Sequence, residues 1–204
     1  MTKPLIIGLT GSIGMGKSTV AAMFEAAGIP VFDADAEVWK LQGPGGELVP
    51  AIEAEFPGST DETGVLRDVL GKEVFGDKDA LARLEGIVHP AVARKREAFL
   101  IEHFGAPFVV FDIPLLFEKG GHESVDRIVV VSAPADVQRV RVLARPGMTP
   151  EKFAHILSLQ TPDAEKRMRA HHIIDTGQSL AETEEEVVAL IARLRAELGS
   201  QDPL

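Results

Sequence analysis

The chain has 204 residues, of which 45% are hydrophobic and 25% are charged, and its formal net charge is −10. This length fits one α/β domain with a small insertion, and the acidic balance argues against general binding to nucleic acid or to acidic membranes. The chain has no cysteine, which excludes disulfides, thiolate metal sites and cysteine nucleophiles.

The first apolar run, residues 5–9, is predicted to be a strand, and residues 19–27 have the periodicity of a helix. Between them, residues 11–18 match the complete pattern G-x-x-x-x-G-K-[ST]. Glycines let backbone N–H groups converge on phosphate oxygens, and the following helix directs its positive dipole end at the same anion. The pattern predicts a nucleoside triphosphate site, in which Lys17 reaches the β- and γ-phosphates and the Ser18 hydroxyl holds Mg²⁺. The predicted ATP-binding residues of this loop are Gly11, Ser12, Ile13, Gly14, Met15, Gly16, Lys17, Ser18 and Thr19.

The second apolar segment, residues 29–32, runs directly into Asp33 and Asp35. Ligands of parallel α/β sheets bind at the carboxyl ends of the strands, which places both carboxylates where a ligand is expected. Phosphoryl transfer needs a group that orients the attacking hydroxyl and accepts its proton, and Asp33 suits that role. The alternative for Asp33 is the N-cap of the next helix, a role that we expect Asp35 to fill.

Helical patterns over residues 47–56, 66–75 and 80–104 predict a helical insertion. Apolar runs at residues 108–112 and 127–131 are typical of buried parallel strands, and a helix over residues 135–144 ends before Pro146. Thr149 and Thr161 each precede a proline and are predicted to start further helices. A last strand at residues 172–175 leads to Ser179 and Glu182, which have the spacing of a capping box that opens the final helix.

The alternation of strands and helices predicts an α/β fold, with a parallel sheet that carries helices on both faces. The chain has no asparagine, which disfavours the GTPases that recognise guanine with an Asn-Lys-x-Asp motif. Asp33 lies one helix beyond the phosphate loop, and this placement favours a small-molecule kinase.

Two further features lie in the second half of the chain. Arg141 and Arg145 are four residues apart on one predicted helix, so they share a face and can form a cationic lid over the phosphates. The alternative is that both are ordinary solvated charges. Asp112 ends an apolar strand as a Walker B aspartate does, and it either contacts Mg²⁺ or caps a loop.

The chain resembles the dephospho-coenzyme A kinase family, and the resemblance runs in order over nearly the whole sequence. It rests on residues 9–20, 33–35, 84–90 and 112–118, and on Gln160, Pro162 and Lys166. The phosphate loop alone is shared by many families. Its combination with the His-Pro and Pro-Leu-Leu-Phe-Glu segments is much more specific.

The resemblance implies a P-loop kinase that transfers the γ-phosphate of ATP to the ribose 3′-hydroxyl of dephospho-coenzyme A, with Mg²⁺. It implies that Asp33 is the catalytic base, that Lys17 is the phosphate-loop lysine, and that Arg141, with Arg145, contacts ATP from the lid. Implied substrate contacts are Thr10, Asp33, Arg67, His89, Pro114, Leu115 and Leu116. The single domain, residues 1–204, would comprise a core (about 1–35, 105–135 and 171–199), an acceptor-binding insertion (about 36–104) and a lid (about 136–170).

Several positions depart from the family pattern. In the lid, Pro146 stands where aspartate is common and His155 where arginine is common. Near the expected adenine pocket, His171 replaces aspartate and Thr176 replaces asparagine. Trp39 follows the Asp-Ala-Asp triplet where a basic residue or histidine is usual, and we expect it to pack within the insertion.

Two other functions are compatible with the phosphate loop. One is a kinase for a nucleoside, nucleotide or sugar acid, and the other is a nucleotide-binding regulatory protein that signals through the insertion. The short N-terminal apolar run enters the glycine loop directly, so we expect no signal peptide and no membrane span. We expect a soluble, cytoplasmic monomer or small homo-oligomer with small-molecule substrates and no nucleic-acid or membrane partner.

Overall fold

The computed structural model describes residues 3–199, which form two units, each with its own hydrophobic core. The first unit contains the described residues up to Phe32 and those from His103 onward. The second unit contains Asp33–Glu102.

The elements are as follows in chain order. The strands are β1 (Leu5–Thr10), β2 (Val31–Asp33), β3 (Thr60–Asp61), β4 (Gly64–Val65), β5 (Phe108–Asp112), β6 (Arg127–Ser132) and β7 (His172–Asp175). The helices are α1 (Lys17–Ala26), α2 (Ala34–Gln42), α3 (Val49–Glu55), α4 (Arg67–Val74), α5 (Lys78–Glu102), α6 (Ala135–Leu143), α7 (Pro150–Ser158), α8 (Asp163–Arg169) and α9 (Leu180–Gly199), with a 3₁₀ turn at Gly121–Ser124. No helix in the described part is long and apolar enough to cross a membrane.

A five-stranded sheet in the order β2-β5-β1-β6-β7 organises the first unit. Strand β1 pairs in parallel with β5 and β6, and β6 pairs in parallel with β7. The odd-numbered apolar residues of β1 and β6 face a core completed by α1 and α9, while Ile128 and Val130 face the segment after β5. Helix α8 packs beside β6. The predicted α/β fold is confirmed, and the strands predicted at residues 108–112 and 172–175 have the expected bounds.

The second unit is a helical cluster around Ile52, which is fully buried together with side chains from the four helices α2 to α5. The predicted helices of this segment are present with bounds that differ by one or two residues. The sequence implied a helix after Asp33 but not its extent, and the β3-β4 hairpin was not predicted. Helix α2 has no clear apolar stripe and only Leu41 is buried in it, and each hairpin strand is only two residues long, too short to show an alternating pattern.

Three local predictions were wrong. Asp33, not Asp35, is the N-cap of α2, and its Oδ1 accepts a hydrogen bond from the Ala36 N–H at 2.9 Å. Trp39 is 61% exposed instead of packed within the unit. Thr161 is not an N-cap, because α8 begins one residue later, after Pro162. The predicted caps at Thr149 and Ser179 are confirmed, the latter with the full capping box to Glu182.

A buried ion pair fixes α8 to the segment after β5. The Lys166 side chain is completely buried, and its Nζ lies 2.9 Å from Oε1 of Glu118. The same oxygen accepts the backbone N–H of Thr161 at 2.8 Å. Burial by itself would raise the pKa of Glu118, but Lys166 and the Thr161 N–H together lower it below its ordinary value. The carboxylate is therefore ionised at neutral pH.

We expect Lys166→Met to destabilise the protein by about 3 kcal/mol at pH 7, because it leaves the Glu118 carboxylate buried without its cation. Urea unfolding measures this cost. Because the folded-state pKa of Glu118 is lowered, the contribution of the pair is present at pH 7 and is lost as the pH falls through that lowered value. The cost of Lys166→Met should therefore shrink in acid, and Lys166→Met with Glu118→Leu should recover most of the loss. An equal cost at pH 7 and pH 3 would contradict this account.

Candidate functional site

The phosphate loop leaves the carboxyl end of β1 and turns into α1. Gly14 and Gly16 have φ values of 78° and 84°, in the left-handed region that side chains disfavour, and Gly16 is the residue before the helix. The first N–H groups of α1 have no acceptor within the helix. The loop therefore presents backbone donors at a helix N-terminus, the arrangement that binds phosphate.

This loop lines a cavity of about 380 Å³, which we call the phosphate cavity. The structure brings all nine predicted loop residues to its wall. Its lining residues are Gly11, Ser12, Ile13, Gly14, Met15, Gly16, Lys17, Ser18, Thr19, Pro114, Arg145, Ile156 and Gln160.

Lys17 and Asp112 form an ion pair at this cavity. Asp112 is the last residue of β5 and lies in register with Leu9 of β1, so the parallel pairing of the two strands brings it to the base of the loop. Its side chain is almost completely buried, and that of Lys17 is largely buried. Each charge compensates the other in a partly desolvated place, where an unpaired charge would be costly.

The oxygen donors at this place fit Mg²⁺ that arrives with a nucleotide. Ser18 is exposed at the start of α1, and Asp112 supplies a carboxylate. Among residues 3–199, no group of three or more His, Cys, Asp or Glu side chains could hold a metal ion by itself. Magnesium in phosphate-transferring sites typically takes one or two protein oxygens and completes its shell with phosphate and water. The chain therefore offers a partial shell of the kind that a nucleotide completes.

A second cavity of about 290 Å³, the side cavity, adjoins the phosphate cavity. The two share Gly14, Gly16, Thr19 and Arg145 as lining residues. The remaining lining residues of the side cavity are Arg141, Thr176, Gln178, Leu180 and Thr183.

Thr176 ties the side cavity to the phosphate loop. Its buried hydroxyl donates to the Met15 carbonyl at 2.7 Å, and it accepts a hydrogen bond from Nη1 of Arg141 at 3.2 Å. Nη2 of Arg141 also donates to the Thr176 carbonyl at 2.7 Å. Arg141, which was predicted to belong to the lid, is therefore anchored next to the loop by Thr176, the residue that stands where asparagine is common in the family.

Two glutamines that hold the loop were not among the predicted site residues. Nε2 of Gln138 donates to the Ile13 carbonyl at 2.7 Å, and Oε1 of Gln160 accepts the Ile13 N–H at 3.1 Å. Gln160 belongs to a segment that the resemblance had marked. One sequence feature could have identified Gln138. It is polar but lies four residues before Val142, on the face of α6 that is buried, and a polar side chain on a buried face usually has a specific partner.

The predicted substrate contacts near β1 and β5 differ in accessibility. Thr10 is completely buried, and its hydroxyl donates to the Pro114 carbonyl at 3.2 Å. Pro114 and Leu115 are partly exposed, but the Leu116 side chain is completely buried in the core. The Leu116 side chain is therefore not accessible to a ligand, and the contact predicted from the turn of residues 114–116 stays a prediction for its other atoms.

The predicted residues of the second unit differ in accessibility. Asp33 is exposed, and its capping bond uses only one carboxylate oxygen. His89 is exposed on α5, which excludes the alternative of a core histidine. The Arg67 guanidinium lies over the indole of Trp39, and burial lowers the pKa of Arg67. Its Nη2 is buried without a hydrogen-bond partner in the described chain.

Comparison with known proteins identifies one family. A model of the dephospho-CoA kinase family matches residues 5–182. A dephospho-CoA kinase of Novosphingobium aromaticivorans is 69% identical over 195 residues, which cover 96% of this chain and 97% of that protein.

Solved structures agree with the sequence comparisons. The structure of TT1252 from Thermus thermophilus is similar with a TM-score of 0.80 and 36% identity, over 95% of this chain and 99% of that one. Dephospho-CoA kinase from Campylobacter jejuni has a TM-score of 0.67 and 25% identity, over 95% of this chain and 98% of that one.

We expect Thr176→Val to weaken the binding of Mg·ATP about tenfold, because valine has a similar shape but gives up the hydrogen bonds to Met15 and Arg141. Calorimetric titration of the purified variant measures the dissociation constant. Thr176→Ser keeps the hydroxyl and should bind within about twofold of the parent chain. Equal weakening in both variants would show that the methyl group, and not the hydroxyl, is what the loop requires.

Proposed function

The chain belongs to the dephospho-CoA kinase family, and we propose that it transfers the γ-phosphoryl group of ATP to the ribose 3′-hydroxyl of dephospho-coenzyme A. The products are ADP and coenzyme A, so the reaction is the final step of coenzyme A biosynthesis. The observation that carries the proposal is the complete phosphate loop, whose lysine lines the cavity and is paired with the strand-end aspartate, in a chain matched by this family model over most of its length.

In the proposed reaction, the backbone donors of the loop and the Lys17 ammonium bind the β- and γ-phosphates and oppose the charge that develops during transfer. Lys17 lines the cavity and is paired there with Asp112. Bound Mg²⁺, held through Ser18 and Asp112, would supply further charge neutralisation on the phosphates. This role for Asp112 also explains why a carboxylate is buried at an anion-binding site.

We place the base and ribose of ATP toward the side cavity, which shares a wall with the phosphate cavity. Leu180 offers an apolar surface there and Arg141 a planar guanidinium, both suited to a stacked base. The Gln178 amide lines the same cavity, and its Nε2 is buried without a hydrogen-bond partner in the described chain. A ring nitrogen of the base would satisfy it.

Arg141 and Arg145 are the proposed cations of the lid, but the prediction that they share a helix face was wrong, because α6 ends at Leu143 and Arg145 lies beyond it. Arg145 lines both cavities, so its guanidinium is placed to approach the phosphate groups as well as the ribose. The bonds from Arg141 to Thr176 reduce the conformational freedom of that side chain before a nucleotide binds. Arginine charge supplied by the same chain lowers the barrier to phosphoryl transfer.

Asp33 is proposed as the general base. As the 3′-oxygen bonds to the γ-phosphorus, the hydroxyl proton passes to the Asp33 carboxylate, and the bond to the β–γ bridging oxygen breaks, so that the electron pair leaves with ADP. The capping bond holds the carboxylate through Oδ1 and leaves Oδ2 available for the proton. The side chain is exposed and can therefore be approached by an acceptor.

The second unit is proposed to bind the acceptor. Its exposed His89 and its Arg67, whose buried Nη2 lacks a hydrogen bond, offer donors for the phosphate groups of dephospho-coenzyme A. Pro114 and Leu115 offer partly exposed apolar surface on the first unit. We propose that the reaction takes place in the cytoplasm, with ATP and dephospho-coenzyme A as the only substrates.

The activity is tested by ADP formation from Mg·ATP with and without dephospho-coenzyme A, with the product identified by mass. We expect ADP formation to depend on the acceptor and to match the coenzyme A formed. A parallel screen of nucleosides and sugar acids should give no comparable rate. ADP formation with one of those acceptors alone would identify a different small-molecule kinase.

We expect Asp33→Asn to lower kcat by about 10²- to 10⁴-fold while the dissociation constant for ATP stays the same. Asparagine caps helices as well as aspartate does, so the variant removes the base and keeps the cap. Asp35→Asn changes a neighbouring exposed carboxylate of the first turn of α2 and should keep near-normal turnover. Near-normal turnover in Asp33→Asn would show that another group takes the proton.

A further inference from the structure

We infer that Gln138 and Gln160 are positioning residues that couple the lid to the phosphate loop through the two peptide groups of a single residue, Ile13. The inference rests on the proposed function, because it concerns how the chain holds the nucleotide. It assigns to the two glutamines a role in transmitting nucleotide binding from the loop to α6 and α7.

Each glutamine uses a different half of its amide. Gln138, in α6, donates through Nε2 to the Ile13 carbonyl at 2.7 Å. Gln160, just after α7, accepts the Ile13 N–H through Oε1 at 3.1 Å. The peptide groups on both sides of the Ile13 Cα are thus fixed by side chains from two separate parts of the lid. A hydrogen bond to only one of them would leave the loop free to rotate about that residue.

Helix α6 also touches the loop directly. A Cβ placed on Gly14 would lie 3.2 Å from the Gln138 carbonyl oxygen, so the helix backbone packs closely against the loop. From the same helix, Arg141 reaches Met15 through Thr176. Residues 13–15 are therefore held by α6 along their whole length, and a shift of α6 must move the loop or break these bonds.

Ile13 lies where the hydrogen bonds from the two glutamines can affect nucleotide binding. Ile13 and Gln160 both line the phosphate cavity, next to Arg145. None of the hydrogen bonds between described residues uses the N–H of Gly14 or Gly16, so these donors are available to a ligand. Because Ile13 directly precedes Gly14, the orientation of its peptide sets the direction in which the first of these donors points. A phosphate that binds them stabilises the same orientation and, through the glutamines, the lid.

Packing alone does not explain a glutamine at position 138 of α6. It is 5% exposed, and a buried side-chain amide costs free energy unless its groups are bonded. An apolar residue would fill the same place next to Val142 without that cost. The hydrogen bond to Ile13 is the benefit that the polar side chain brings.

The test compares Gln138→Met, Gln160→Met and the double variant by steady-state kinetics and by residue-resolved amide hydrogen exchange. Each single variant should raise the KM for ATP about three- to tenfold, as expected for the loss of one neutral hydrogen bond, with a smaller change in the KM for the acceptor. Because both hold the two peptide groups of the same residue, Ile13, the double variant should be little worse than the more affected single variant. Fully additive effects would overturn the inference.

Hydrogen exchange separates coupling from simple support of the fold. In the parent chain, Mg·ATP without acceptor should slow exchange in α1, α6 and α7. In the double variant at saturating Mg·ATP, protection should remain in α1 and disappear in α7. Protection of α7 that persists in the double variant would overturn the inference, even if the KM for ATP has risen.

The matched control is Gln160→Glu, which keeps an acceptor for the Ile13 N–H. In the nucleotide-free protein, exchange of the Ile13 amide should be accelerated in Gln160→Met and remain slow in Gln160→Glu. An ionised Gln138→Glu side chain cannot donate to the Ile13 carbonyl, so this variant should raise the KM for ATP at least as much as Gln138→Met does.

Failure of the proposed function can be told apart from failure of the coupling. If the parent chain binds ATP but forms no acceptor-dependent ADP, the proposed function is wrong, and the exchange data still show whether the glutamines couple the loop to α6 and α7.

Discussion

A main-chain anion site works only if its loop is held in shape from outside, because a glycine-rich segment has little conformational preference of its own. In this protein the loop between β1 and α1 is fixed mainly by other elements. Thr176 binds the Met15 carbonyl, the Ala133 N–H lies 3.1 Å from the Met15 sulfur, and two glutamines bind Ile13. The cost of ordering the glycines is thus offset before a ligand arrives. Among the described residues, the N–H groups of Gly14 and Gly16 donate to no partner and remain available to a ligand.

The charges around the loop follow from the sheet. Parallel pairing of β1 with β5 brings Asp112 level with the end of β1, where it meets Lys17. Helix α8, in the proposed lid, is fixed beside the sheet by the buried Lys166–Glu118 pair and by Asp163, which accepts a hydrogen bond from the Ser132 hydroxyl at 2.8 Å. Ion pairs and hydrogen bonds of this kind depend strongly on geometry, and they hold the lid elements in one place.

Asp33 shows how one residue can combine local structure with chemistry. It ends β2 and caps α2 with a single carboxylate oxygen. The cap restricts the side chain to one orientation, and the second oxygen is left for a proton. Arg67 and Trp39 make a comparable arrangement in the second unit, where stacking orders a guanidinium that still has an unused donor.

The sequence by itself determined the order of the five sheet strands and of most helices, the phosphate loop and the family, because these depend on local periodicity and on contiguous motifs. It also identified Asp112 and Arg141 as residues of interest. The cap at Asp33, the exposure of Trp39, the burial of Leu116 and the hydrogen bonds of Gln138 were decided only by the tertiary structure. The cap at Asp33 is local, three residues from Ala36, and was decided between two neighbouring aspartates by where α2 begins. The other three depend on which side chains from distant parts of the chain lie opposite, and residues separated by the 125 positions between Ile13 and Gln138 leave no local pattern to read.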